Sequence, residues 1–347
     1  GARAGVTLRG RANRQAEAAN RGCPPPSGRG SSGMKIILPG GSGQVGTLLA
    51  RHFHAGGHEI VVLSRTPQPA PWRTAVWDAE TVGEWARECD GADAVVNLAG
   101  RSVNCRYSAA NRALIRDSRV NSTRAVGDAI RRCARPPRVW LQMSTATIYA
   151  HRHDAGNDEA TGVLGGSEAD VPDTWRFSTD VAKAWEAAAN EIETPATRKV
   201  LLRTAMVMSP DPGGVFSVLR GLARKGLGGR AGDGRQFVSW IHGTDFCRAV
   251  DWLIEHGDLC GPVNVCSPNP LPNAEFMRDL RRAVGVRVGL PATRWMLELG
   301  AIGMRTETEL LLKSRRVVPG KLGAGGFAFR FPHWAEAAAE LASRSLR

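Results

Sequence analysis

The chain has 347 residues, 42% of them hydrophobic and 23% charged, which is enough apolar material for a large core or for one core with a smaller lobe. No apolar run approaches membrane-spanning length, so no transmembrane helix and no membrane partner are predicted. The formal charge of +13 raises nucleic acid as a partner, but outside the first 33 residues the arginines are dispersed, without basic blocks or interleaved aromatics, and no nucleic-acid binding is expected.

Residues 1–33 hold Arg3, Arg9, Arg11, Arg14, Arg21 and Arg29 against Glu17 alone, and are rich in Gly, Ser, Pro and Ala. Their lack of helical or strand period predicts a disordered extension, with folded structure beginning near Met34. Without an initiating Met or a long apolar stretch the segment reads as an upstream extension; an Arg-rich organellar transit peptide is the alternative. Cys23, Cys89, Cys105, Cys133, Cys247, Cys260 and Cys266 are odd in number and lack C-x-x-C spacing. They read as reduced thiols of a cytoplasmic protein, and no metal site is predicted.

The folded region opens with an apolar strand, Lys35–Pro39, and then Gly40-Gly41-Ser42-Gly43-Gln44-Val45-Gly46. The glycines fit both G-x-G-x-x-G and G-x-x-G-x-x-G spacing. Such a loop turns the chain where side chains would clash and points the free N–H groups of the next helix at a pyrophosphate. The helix is predicted from Gln44 through Phe53 and a buried second strand at Glu59–Ser64, completing a βαβ unit. That strand ends at Ser64-Arg65, where an NAD-preferring site carries an acid. A guanidinium there suits a 2′-phosphate, so NADP(H) is the expected cofactor.

Further on, a strand is predicted at Arg73–Trp77, a helix around Thr81–Glu88, an apolar strand at Ala94–Leu98 and a long helix from Ser108 to Cys133. A fifth strand at Val139–Ser144, a helix at Asp180–Glu193 and a sixth strand at Val200–Met208 complete an α/β, doubly wound parallel sheet. Past Pro210 the pattern loosens into Gly-rich turns at Gly226–Gly234, a strand at Phe237–Ile241, and helices at Thr244–His256 and Asn273–Val284. A final helix ends at Leu341. The expected organisation is a dinucleotide-binding domain over residues 34–210, with some C-terminal strands returning to it, and a smaller α+β substrate lobe over 211–347.

The run Asp93-Ala94-Val95-Val96-Asn97-Leu98-Ala99-Gly100 resembles extended short-chain dehydrogenases. Ser118-Arg119, Trp185-Glu186-Ala187-Ala188, the stretch Gly232 to His242 and Gly325-Gly326-Phe327-Ala328-Phe329 narrow the resemblance to an atypical epimerase-like subfamily that ends in a short domain of unknown function. The resemblance implies a Rossmann domain in which Gly40, Gly41, Ser42, Gly43, Gln44, Val45 and Gly46 hold the pyrophosphate and Ser64 and Arg65 the 2′-phosphate. It also implies that Leu98, Ala99 and Gly100 line the adenosine path and that Arg119 and Val207 lie near the cofactor. Leu98 and Val207 equally suit a plain core, and Arg119 a bridge between helices.

Enzymes of this kind use a Tyr-x-x-x-Lys pair, in which the ammonium helps the phenol exchange a proton with the substrate carbonyl. Tyr107 is followed four residues later by Asn111, and Tyr149 by His153, so neither forms the pair. Ser178 and Ala182 stand where the tyrosine and lysine belong, and Lys183 is rotated about 100° away on the helix. Ser144, at the end of the fifth strand, and Tyr149 are the candidate catalytic residues, and Arg235 is a candidate substrate contact. His242 and Asp245 are read as structural, with Thr244 as a helix cap. The expected protein is an NADP(H)-dependent oxidoreductase or epimerase acting on a small molecule as a monomer or homodimer. The alternative is a non-catalytic NADP-binding sensor.

Overall fold

A computed structural model of the chain describes residues 33–292 and 312–344; the expected disordered extension lies outside them apart from Gly33. The first half runs β1 (Lys35–Pro39), α1 (Gln44–Ala55), β2 (Glu59–Ser64), β3 (Arg73–Val76), a 3-10 turn at Glu84–Cys89, β4 (Ala94–Asn97), α2 (Ala109–Arg131) and β5 (Val139–Thr145). It continues through α3 (Asp173–Asn190), β6 (Arg198–Thr204), β7 (Met206–Met208), α4 (Val215–Arg224), β8 (Phe237–Val238) and β9 (Trp240–His242). The remainder comprises α5 (Gly243–Glu255), β10 (Gly261–Val265), β11 (Leu271–Pro272), α6 (Asn273–Ala283), α7 (Gly320–Ala324) and α8 (Trp334–Arg344).

Seven strands form one parallel sheet in the order β10-β6-β5-β4-β1-β2-β3, the doubly wound arrangement expected. Strand pleating sends Ile36 and Leu38 into one core, with Leu49 and Phe53 of α1, and Ile37 into the opposite core, with Val126 and Ile130 of α2. Both faces are covered, so these strands are apolar throughout rather than alternating. No helix among the described residues is long and apolar enough to cross a membrane.

Several elements depart from their predicted bounds. Asp78 accepts the backbone N–H groups of Glu80 and Thr81, both at 2.9 Å, so a turn replaces the start of the helix expected from Thr81. Helix α3 starts earlier than expected, directly after Pro172, with Asp173 in its first turn. The sixth strand breaks at Ala205, whose N–H turns to Val265 O at 3.1 Å, and β7 pairs instead with β9. Thr244 does not cap α5: His242 does, its Nδ1 accepting Thr244 N–H at 3.0 Å while Nε2 contacts Glu340 at 3.0 Å.

Strand β10 is where the C-terminal half returns to the sheet. Its Pro262 weakens a strand reading from sequence, and is accommodated because β10 is an edge strand. Helix α5, placed with the lobe by sequence, packs Phe246, Val250 and Leu253 into the core beneath the sheet. The lobe has a separate core of Phe216, Leu219, Trp240, Phe276, Leu280, Trp334 and Leu341, in which Trp334 stacks on Phe276 at 4.0 Å. Buried Asp245 ties the C-terminal segment down, accepting Arg330 N–H and Phe331 N–H at 2.8 Å each.

Candidate cofactor and substrate clefts

Two clefts open along the carboxyl ends of the strands, where open α/β sheets bind ligands. The larger, about 540 Å³, is lined by Gly40, Ser42 and Gly43 of the glycine loop, by Ser64 and Arg65 after β2, and by Leu98, Ala99 and Gly100 after β4. Of the seven expected loop residues, Gly40, Ser42 and Gly43 therefore meet the strand-end pair in one place.

The glycines there are required for different reasons. A Cβ on Gly40 would come within 2.6 Å of the Ala99 backbone, and one on Gly46 within 2.4 Å of Gly41, so the turn and the helix–strand packing themselves demand glycine. Gly43 is different: an added Cβ would meet nothing nearer than Gly40 O at 3.7 Å, and its backbone is ordinary, with φ −73° and ψ 172°. It is also the N-cap of α1, where serine would serve the helix as well or better, yet no side chain caps this terminus. A bare backbone at an uncapped helix start is the cradle that a pyrophosphate fits. Gln44 turns aside to Ser209 Oγ at 3.2 Å, and Val45 packs on the core below the sheet.

Ser64 is buried, and its hydroxyl lies 3.1 Å from that of Ser42, giving the cleft floor two adjacent hydroxyls. Arg65 is exposed at the rim, and among the described residues no carboxylate pairs with it. Val207 packs against the main core and lines neither cleft.

The second cleft, about 190 Å³, adjoins the first where Arg119 packs beside Gly100. Thr145 and Thr147 at and just past the end of β5, Thr204 to Met206 at and just past the end of β6, Tyr107, and Phe177, Ser178, Ala182 and Trp185 of α3 line it. Arg119 belongs to this cleft rather than the larger one. Its guanidinium sits 4.9 Å over the Trp185 ring and donates to the carbonyls of Arg101 and Ile115 at 3.0 and 2.9 Å. Burial lowers its pKa to about 10, which still leaves it charged at neutral pH.

Ser144 and Tyr149, the expected catalytic pair, point away from this cleft. Ser144 Oγ donates to Glu186 Oε1 at 2.7 Å; Glu186 is held by Arg203 through two contacts of 2.8 Å; Arg203 Nη1 donates at 3.0 Å to the Tyr149 hydroxyl, which donates to Asn264 Oδ1 at 2.9 Å. The whole chain of groups is buried, Tyr149 being 2% exposed. Burial pushes the Tyr149 phenol up in pKa, outweighing the Arg203 guanidinium, which makes it a poor proton donor at neutral pH. Successive strand residues face opposite sides, so it is Thr145, one residue beyond Ser144, that opens into the cleft.

Arg235 also lies elsewhere. It is exposed directly after the turn bounded by Gly232 and Gly234, both at positive φ, and lines neither cleft. The arginine that reaches the second cleft from the C-terminal segment is Arg315, whose Nε donates to Thr147 Oγ1 at 3.2 Å. Ser239 anchors that segment by donating to Arg315 O at 2.6 Å and accepting Val317 N–H at 2.9 Å. Among the described residues, the cleft lining thus contains two guanidiniums and no carboxylate. Among the described residues no group of three or more His, Cys, Asp or Glu is placed to hold a metal ion, and no disulfide joins the six described cysteines.

Comparison with known proteins matches residues 36–266 to the model of the NAD dependent epimerase/dehydratase family and residues 292–341 to that of a domain of unknown function, DUF1731. The human protein described as epimerase family protein SDR39U1 is 30% identical over 311 residues, covering 89% of this chain and 99% of that protein. The epimerase family protein YfhF of Bacillus subtilis is 29% identical over 306 residues, covering 86% of this chain and 94% of that protein. Among solved structures, human SDR39U1 (isoform 2) with NADPH superposes with a TM-score of 0.78 at 29% identity, over 89% of this chain and 99% of that one. A nucleoside-diphosphate sugar epimerase from Corynebacterium glutamicum gives a TM-score of 0.69 at 26% identity, over 90% of this chain and 59% of that one.

Proposed function

Because this chain belongs to the NAD dependent epimerase/dehydratase family, we propose that it binds NADP(H) in the larger cleft and acts on a carbonyl or carbinol carbon of a small molecule held in the adjoining one. The observation that carries the reading is Gly43, a glycine that neither backbone angle nor packing requires, at the uncapped start of α1. The NADPH in the human relative's structure supports it.

When bound, the nicotinamide supplies hydride exchange. The protein's part is to hold and orient. Gly40 to Gly46 present the α1 N–H groups to the pyrophosphate, with Ser42 offering a hydroxyl beside it and Ser64 one toward the 2′-phosphate. Arg65 pairs with the 2′-phosphate, selecting NADP(H) over NAD(H). Leu98, Ala99 and Gly100 wall the adenosine path. In the adjoining cleft Thr145 hydrogen-bonds the reacting oxygen, Phe177 and Trp185 exclude water, and Arg119 and Arg315 favour a polar or anionic substrate.

A thermal-shift titration tests the assignment: NADPH is expected to raise the melting temperature more than NADH at equal concentration, since a ligand specific to the folded state stabilises it. Equal shifts, or none, would remove the NADP(H) reading. Ser178 and Ala182 at the usual tyrosine and lysine positions favour a second reading, a non-catalytic NADP(H) sensor. Its signature is tight NADPH binding with no turnover across a broad panel of aldehydes and ketones.

A further inference from the structure

Helix α3 offers the second cleft a short hydroxyl and a methyl, Ser178 and Ala182, where related enzymes offer a phenol and an ammonium. A phenol is nonetheless present. Tyr107, from the loop between β4 and α2, lines the same cleft and brings its hydroxyl to 3.4 Å from Ser178 Oγ. The small side chains on α3 leave the space it enters.

That placement is fixed from several sides. The Tyr107 ring packs edge-on against Phe177 with centroids 5.0 Å apart. Arg112 Nε donates to Tyr107 O at 3.0 Å, while the Arg112 guanidinium lies 4.9 Å over the Phe177 ring and pairs with Asp173 in the first turn of α3. The loop is thereby clamped to the helix it complements. Arg119 lines the same cleft and provides the cation that Ala182 cannot.

We propose that Tyr107 is the proton-transferring residue of this cleft, with Arg119 stabilising its phenolate. The proposal rests on the NADP(H) reading given above. In the reducing direction the carbonyl carbon receives hydride as NADPH is oxidised to NADP⁺. The C=O π pair moves onto oxygen, the oxygen takes the Tyr107 proton to give the alcohol, and the phenolate regains a proton from water. Thr145 holds the carbonyl from the β5 side.

The test combines binding, turnover and a titration. Tyr107→Phe is expected to bind NADPH as the wild type does, by fluorescence titration, and to lose NADPH oxidation with a panel of aldehydes and ketones by about 100-fold or more. The chain has two tyrosines, and Tyr149 is buried, so the tyrosinate absorbance that disappears in Tyr107→Phe isolates the Tyr107 titration. With NADPH present, Arg119→Gln should move that titration to higher pH, and Arg119→Lys should restore part of the shift. This arm decides the matter even where no panel member turns over. Wild-type turnover in Tyr107→Phe, or a titration indifferent to Arg119, overturns the proposal while NADPH binding stands. Failure of the wild type to bind NADPH is a different result and removes the underlying reading instead.

Discussion

Replacing Arg65 with Ala isolates the interaction that selects the cofactor. Arg65 is exposed and, among the described residues, engages no carboxylate, so the substitution breaks nothing that holds the fold and stability should stay within about 0.5 kcal/mol. A 2′-phosphate carries about −1.5 to −2 charges at neutral pH. At about 4 Å in a water-like dielectric each charge pair is worth about 1 kcal/mol, and the rim position argues for that end of the range. The guanidinium then contributes about 2 kcal/mol, or roughly 30-fold in Kd, to NADPH and almost nothing to NADH. Fluorescence titrations of both cofactors against wild type and Arg65→Ala measure the difference directly. Raising the salt concentration should shrink the wild-type preference, because the Debye length falls below about 10 Å. Equal weakening of both cofactors, or no change in either, would refute the assignment of Arg65 to the 2′-phosphate.

The two kinds of glycine in the loop should separate by assay. Gly43→Ser should keep or slightly raise the melting temperature, by improving the α1 cap, while NADPH affinity falls; Gly46→Ala should destabilise by about 1–3 kcal/mol, because its Cβ would meet the Gly41 backbone at 2.4 Å. Tyr149→Phe leaves Arg203 and Asn264 each short of a buried partner, so chemical denaturation should report a loss of about 1–3 kcal/mol with NADPH affinity unchanged. Burial lowers the pKa of His242 below its ordinary 6.5, so the unfolded chain takes up the proton first and stability should decline as pH falls below about 6.5. Protonation places a hydrogen on Nδ1 where Thr244 N–H now donates, and His242→Asn should flatten that part of the stability profile.

The order of strands and helices was legible because it is written locally. Apolar runs such as Val95-Val96 and the glycine spacing after Pro39 act through the few residues around them. The ends of elements were less legible. The turn built by Asp78 depends on two backbone N–H groups that its carboxylate accepts, and the break at Ala205 on one hydrogen bond to Val265, on a strand sixty residues away. Strand β10 carries Pro262 and becomes a strand because the edge beside β6 is free to pair.

By itself the sequence determined the parallel α/β sheet, the glycine loop and the arginine after β2, since each is a short run whose chemistry does not depend on distant partners. Tertiary structure decided what fills the second cleft. Ser144 and Thr145 are adjacent hydroxyls on a strand covered on both faces, so no alternation of polar and apolar residues distinguishes inward from outward, and only the pleat and the Glu186–Arg203 pair turn Ser144 away. Tyr107 and Arg315 arrive from segments more than two hundred residues apart, and Arg235 stands exposed just past a turn. Such meetings are set by long-range packing, which no local pattern encodes.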